Sequence, residues 1–105
     1  MEATPEPVKL LISYDPIPEL QEPYFRYVLG EFVPSLARAG LPMCEAWHTA
    51  FGAYPRRVAG FYARDRAALE SVLASESFHD LESRLQRYVV NYRKRVVRFR
   101  RNFQI

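Results

Sequence analysis

Met43-Cys-Glu-Ala-Trp-His-Thr-Ala-Phe-Gly-Ala-Tyr-Pro-Arg-Arg-Val-Ala-Gly-Phe-Tyr-Ala-Arg64 lies at the middle of a chain of 105 residues, between two helical patterns. It reads as two antiparallel strands, Met43–Phe51 and Arg56–Ala63, joined by a turn at Gly52-Ala-Tyr-Pro55. Side chains alternate across a strand, so Cys44, Ala46, His48 and Ala50 share one face. Met43, Glu45, Trp47, Thr49 and Phe51 share the other. In the next strand Val58, Gly60 and Tyr62 oppose Ala59, Phe61 and Ala63. A glycine in mid-strand, Gly60, points to a bulge or to a close approach by another group.

Outward from this hairpin, the N-terminal flank holds a strand and a helix. Val8-Lys-Leu-Leu-Ile-Ser-Tyr14 is nearly continuous in apolar residues, as in a central strand covered on both faces. Val8, Leu10, Ile12 and Tyr14 share one face, and Asp15-Pro-Ile-Pro18 ends the ladder. A helix begins near Pro23, where a missing N–H costs nothing. Phe25, Val28, Leu29, Phe32 and Leu36 form its apolar stripe. Pro34 crowds the carbonyl of Gly30 and predicts a kink within one element. Gly40-Leu-Pro42 stops the helix.

On the C-terminal flank Asp65 is the N-cap of a helix through Leu73. Ser77 and Asp80, spaced as a capping box, start a fresh helical turn that continues through Leu81, Leu85 and Tyr92. A long last strand, from near Arg93 over residues 94–105, alternates Val97, Phe99, Arg101, Phe103 and Ile105 with polar positions. At ~3.3 Å per residue it outruns a small sheet, and a second subunit is where it would go.

The chain is one domain, with residues 1–7 as a flexible lead-in. The order is strand–helix–strand–strand–helix–strand. This predicts an α+β, ferredoxin-like βαββαβ fold, a four-stranded antiparallel sheet with both helices on one face. The bare face would carry Trp47, Phe51 or the Val and Phe rows, each too apolar for water, and alternation does not label which. A second copy packed sheet against sheet covers it economically, because a twofold contact uses one patch twice.

Composition narrows the function classes. No run of ~18 apolar residues occurs, so no membrane span is read. Met1–Pro7 lacks the basic and apolar regions of a signal peptide. Cys44 is the single cysteine, so no disulfide framework exists and a reducing cytoplasm fits. Net charge is +3, and eight of 15 basic residues lie between Arg84 and Arg101. A basic end of this kind can meet nucleic acid or an anionic surface; the favoured reading is a solvated face and a partner for the acidic half of the same fold or of a second copy. Two His and one Cys make no metal set, and no phosphate loop or nucleophile elbow is present.

Residues 8–104 resemble the dimeric α/β-barrel superfamily, whose ferredoxin-like subunits pair through their sheets. Within it, Glu45-Ala-Trp-His-Thr-x-Phe-Gly-Ala-Tyr-Pro-Arg-Arg-Val58 followed by Phe61-Tyr-Ala63 is similar to the NIPSNAP-like branch. The resemblance implies a ligand pocket between helices and sheet, and cofactor-independent oxygenases, haem-degrading enzymes and EthD-like proteins as relatives. Haem-degrading relatives use a helix His, a strand Trp and a first-strand Asn. Here His79 and Trp47 could stand in, but the first strand offers Ser13 and no Asn.

His48 is the candidate catalytic residue, because a His among small neighbours near neutral pKa can move a proton. The alternative is a buried neutral His bonded to a carbonyl. Tyr14, Trp47, Phe61 and Tyr62 on adjacent strands are the candidate substrate-binding residues; the alternative for each is ordinary core. Glu45, beside Met43 and Trp47, needs an ion-pair partner, expected from Arg57, Arg98 or Arg100. Cys44 is expected to be an inert buried thiol. The reading is a homodimer binding a small apolar or aromatic molecule, with no cofactor and no metal; a cofactor-independent oxygenase or isomerase is what the resemblance implies, not what the residues show. The alternatives are a structural or regulatory dimer, and an RRM-like RNA binder suggested by Arg57-Val-Ala-Gly-Phe-Tyr-Ala-Arg64. The latter has Val58 where glycine is wanted, and Ala59 and Arg64 where stacking aromatics are wanted.

Overall fold

A computed structural model describes residues 6–49 and 56–99. The fold is ferredoxin-like, with four strands in the order β2-β3-β1-β4. They are β1 (Val8–Pro16), β2 (Met43–Thr49), β3 (Arg56–Ala63) and β4 (Val89–Arg98), all antiparallel to their neighbours. The helices are α1 (Gln21–Tyr27), a π turn (Val28–Phe32), α2 (Val33–Arg38), α3 (Arg66–Leu73) and α4 (Glu76–Leu85). No helix is long and apolar enough to cross a membrane. The hairpin turn at Gly52–Pro55, the strand end at Phe51, the start of the lead-in and the tail beyond Phe99 lie outside the described residues.

The first helix starts earlier than Pro23, at Gln21, after a 3₁₀ turn over Pro18–Leu20. The kink expected from Pro34 takes the form of the π turn, in which the N–H of Val33 donates to the carbonyl of Val28. One extra residue in the turn relieves the clash between the proline ring and the Gly30 carbonyl. Gly40 ends α2 at φ +100°, with its N–H on Ala37 O (3.0 Å) and the Leu41 N–H on Leu36 O (2.8 Å). That is a Schellman cap, and only glycine takes its φ without strain.

Asp65 caps α3 by accepting from the Ala68 N–H at 2.7 Å. The cap of α4 is Ser75, which accepts from the Phe78 N–H at 3.1 Å. This corrects the capping box placed at Ser77 and Asp80: the chain turns two residues earlier, so Ser77 and Asp80 are already inside the helix. Helix α4 also ends sooner than its apolar spacing suggests. Val89 and Tyr92 belong to β4, which therefore begins before Arg93. Arg84 pairs with Glu31 and Asp80, and Lys94 with Glu82, so part of the basic stretch is neutralised within the subunit.

Register assigns the two sheet faces. Val8, Leu10, Ile12 and Tyr14 are buried with Phe32, Leu36, Leu69, Phe78, Leu81 and Leu85 from the helices. Opposite them stand Ala63, Phe61, Ala59 and Arg57 of β3, and then Met43, Ala46 and His48 of β2. The other face carries Lys9, Leu11 and Ser13, with Tyr62, Gly60 and Val58, then Glu45 and Trp47. A register shift between Met43 and Glu45 moves Met43 to the helix side, opposite Phe61. The strict alternation read from sequence had placed Met43 with Glu45 and Trp47, and the bulge at Cys44 breaks it.

Gly60 is a point of close approach, as its position suggested. A Cβ there would stand 2.8 Å from Glu45 Cγ and 3.1 Å from Lys9 Cδ. Glu45 pairs with Lys9, at 3.1 Å, across the missing side chain. The expected arginine partners are corrected: Arg57 is on the opposite face, while Arg98 lies beyond β1, opposite Val8. Arg100 lies outside the described residues.

Candidate functional site

A cavity of about 180 Å³ lies between the helix layer and the β1–β3–β2 half of the sheet. Its roof is Tyr24, Phe25, Val28, Leu29, Phe32 and Val33, all from α1 to the start of α2. Its floor is three rows of paired residues running across the strands. Leu10–Phe61–Met43 forms one end of these rows, and Phe61 and Met43 line the cavity. Ile12–Ala59–Ala46 is the middle row. The two alanines leave the space that larger residues would fill. Tyr14–Arg57–His48 is the other end and holds the polar groups.

The polar end differs sharply in chemistry from the apolar floor. Tyr14 and Tyr24 are 4% and 2% exposed, and their hydroxyls share a hydrogen bond of 2.8 Å. Burial pushes both phenols above the ordinary tyrosine range, so both keep their protons at neutral pH. One hydroxyl donates to the other, and the proton of the acceptor remains available to a third group. Arg57 lies with its guanidinium carbon 4.9 Å from the Phe25 ring centre and 6.0 Å from that of Tyr24. Its Nε is buried and has no hydrogen-bond partner among the described residues. His48 is exposed at the edge of the sheet, on the same row.

The predicted site residues are therefore divided between two faces. His48, Tyr14 and Phe61 come together on the cavity. Phe61 is fully buried, and its edge meets the Phe32 ring at 6.1 Å. Trp47 contributes to the cavity lining but is paired with Val58 on the opposite face and is 62% exposed. Tyr62 is separated from the site. It lies on the open face, edge to face with Phe99 at 5.2 Å. His48 is not the buried, carbonyl-bonded histidine of the alternative reading, because β2 is the edge strand and leaves it in solvent. Cys44 is corrected from buried to exposed for the same reason. Its thiol is nonetheless pushed up, chiefly by partial burial and then by Glu45, so it is poorly activated. His79, on α4, is exposed and away from the cavity lining.

Arg57, Tyr24 and Phe25 are the site residues that the sequence reading missed. Phe25 reads as an ordinary helix-stripe residue, and Tyr24 lies outside that stripe. A signal for Arg57 did exist: on its strand it alternates with Val58 and so falls on the face of Ala59 and Phe61. An arginine on the apolar face of a strand is the oddity that pairing requirements should explain.

No protein-family model matches the chain, and no curated protein matches it in sequence. Solved structures share its fold. A NIPSNAP family protein from Agrobacterium tumefaciens is 12% identical, with 98% of this chain and 94% of that chain covered and a TM-score of 0.68. A NIPSNAP domain protein from Burkholderia xenovorans is 11% identical over 93% and 99%, with a TM-score of 0.66. SnoaB, a cofactor-independent oxygenase from Streptomyces nogalater, is 16% identical over 93% and 97%, also with a TM-score of 0.66. At these identities the likeness shows the fold, the one expected from the Glu45–Ala63 resemblance.

Proposed function

We propose that this chain binds one small, mostly apolar or aromatic molecule in the cavity between α1 and the β2–β3 hairpin. The observation that carries the reading is the floor itself, two alanines flanked by aromatic rings and closed at one end by Tyr14, Arg57 and His48. Apolar walls with a few convergent polar groups are the usual make-up of a small-molecule site. His48, accessible and of the right residue type, acts as the proton acceptor, and the protonated phenol pair faces the oxygen on which charge develops. This is the chemistry of a cofactor-independent oxygenase or isomerase. The fold shared with SnoaB supports the oxygenase side. The working unit is a homodimer paired through the open sheet face, where Leu11, Trp47, Val58, Tyr62 and Val97 lie.

Amide chemical-shift mapping with small aromatic fragments tests the site. The reading expects shifts at Val28, Ala46 and Ala59. Shifts confined to Leu11, Ser13 and Val97 would place binding on the wrong face and remove it. His48→Ala should keep the fold, since the side chain is exposed, and should abolish proton transfer from a bound C–H or phenol acid. Light scattering should return twice the chain mass of 12.3 kDa, and Leu11→Arg should return 12.3 kDa.

A further inference from the structure

Arg57 is a fixed cation placed in an apolar cavity, and its surroundings do not complete it. The ring of Phe25 at 4.9 Å and that of Tyr24 at 6.0 Å engage its positive charge. A π face attracts a cation but accepts little along the edge of the guanidinium, where the N–H groups point. Its Nε is buried with no hydrogen-bond partner among the described residues. The chain's own nearby acids are engaged elsewhere. Glu45 is on the opposite face with Lys9, and Asp15 is taken by Asn91 at 2.8 Å and by Arg56. The other polar group at this end, the Tyr14–Tyr24 pair, has a proton to give. Among the described residues, the His48 imidazole on the exposed edge is the acceptor at this end, and no carboxylate stands beside the buried Arg57 Nε.

We propose that the cavity takes a carboxylate: a small molecule with one apolar ring or short chain on the alanine floor and a carboxyl group held by Arg57 beside the Tyr14–Tyr24 hydroxyls. This inference rests on the cavity being the ligand site and adds the charge class of the ligand. A planar carboxylate fits the guanidinium edge with two parallel hydrogen bonds, and the stacking on Phe25 holds that edge in one orientation. Ligand binding then supplies the acceptor that the buried Nε lacks. At about 180 Å³ the cavity is below the ~300–1,000 Å³ of drug-sized sites, which limits the apolar part to about one ring.

Three probes of similar shape separate the parts of this inference: phenylacetate, its neutral amide phenylacetamide, and ethylbenzene. Calorimetry and amide shift mapping on the full chain should show phenylacetate binding at least ~10-fold tighter than phenylacetamide, with shifts at Ala46 and Ala59. Arg57→Gln should remove that preference, so that phenylacetate and phenylacetamide bind alike. Arg57→Lys should retain part of it, as a point charge without the planar fork. Equal binding of phenylacetate and phenylacetamide to the wild-type chain would overturn the carboxylate assignment and leave the apolar cavity standing. The same holds if the preference survives in Arg57→Gln, because the charge being read would then lie elsewhere. Failure of all three probes would remove the cavity as a ligand site, and the carboxylate with it. The wild-type comparison decides the matter even where Arg57→Gln does not fold.

Discussion

The paired hydroxyls of Tyr14 and Tyr24 should behave as one unit in stability. Both rings are almost wholly buried, and the hydroxyls meet at 2.8 Å. Tyr14→Phe removes one oxygen and leaves the Tyr24 hydroxyl buried without its partner. Tyr24→Phe does the reverse. Leaving one such group unpaired costs roughly 1–3 kcal/mol. A cost of ~1–3 kcal/mol is therefore expected for each single variant. The double variant removes donor and acceptor together while keeping both rings and their edge-on contact, with centroids 5.8 Å apart. Its cost should fall within ~0.5 kcal/mol of zero, because two apolar groups of the same shape owe nothing to hydrogen bonding. The sum of the single effects should thus exceed the double by at least ~1 kcal/mol. Urea unfolding at neutral pH measures all four proteins, and an unchanged slope shows that the same surface is being exposed. A double variant as costly as the two singles combined would refute the coupling. It would mean that each hydroxyl is satisfied independently.

Alkaline titration provides a related test. Burial raises Tyr14, Tyr24 and Tyr92, and pushes Tyr27 up to about 12. Below pH ~10 these phenols are protonated in both folded and unfolded chains, and their contribution is fully present. Above that the unfolded chain releases protons which the folded one retains at these four phenols, so stability to urea should fall from pH ~10 upward through 12, and a flat stability over that range would refute the shifts. Gly60→Val should cost ~1–3 kcal/mol in urea unfolding, because its side chain meets Glu45 and Lys9. Adding Glu45→Ala should recover at least half of that cost, and no recovery would put the clash elsewhere. Asp65→Ala should cost ~1 kcal/mol by removing the cap of α3, whereas Asp65→Asn should cost much less, since its oxygen still accepts from Ala68. Thermal unfolding of the two variants side by side distinguishes them.

Much of the fold is written in local patterns. The strand Arg56–Ala63 is bounded as its alternation indicates, and Asp65 caps the helix that follows it. Gly40 marks the end of α2 because its left-handed φ is a property of the residue type. Where local reading failed, two local signals competed. Ser75 and Ser77 are both good caps, and the choice between them depends on which turn brings Phe78 into the core. Val89 and Tyr92 continue the helical spacing of α4, yet antiparallel pairing with β1 draws them into a strand, and Asn91 takes φ 58° within it. Pro34 is intermediate: the disturbance was legible, but not its form, a π turn in place of a bend.

The site shows the same division more sharply. Alternation groups His48 with Ala46, and Arg57 with Ala59 and Phe61, from the residues alone. It cannot label which group meets the helices, because a period of two defines a pair of faces without distinguishing them. Nor can it foresee the Cys44 bulge, which brings Met43 to the cavity side. The sequence by itself determined the element order, the sheet and helix types, the small floor residues and the presence of an odd arginine. Only the tertiary structure decided that Tyr14, Arg57 and His48 form one row, and that Tyr62 stands on the far face. The reason is that pairing is a relation between distant segments: Glu45 was free to choose among several cations in the sequence, and its capture by Lys9 across Gly60 leaves Arg57 on the other face, without an acid of its own among the described residues.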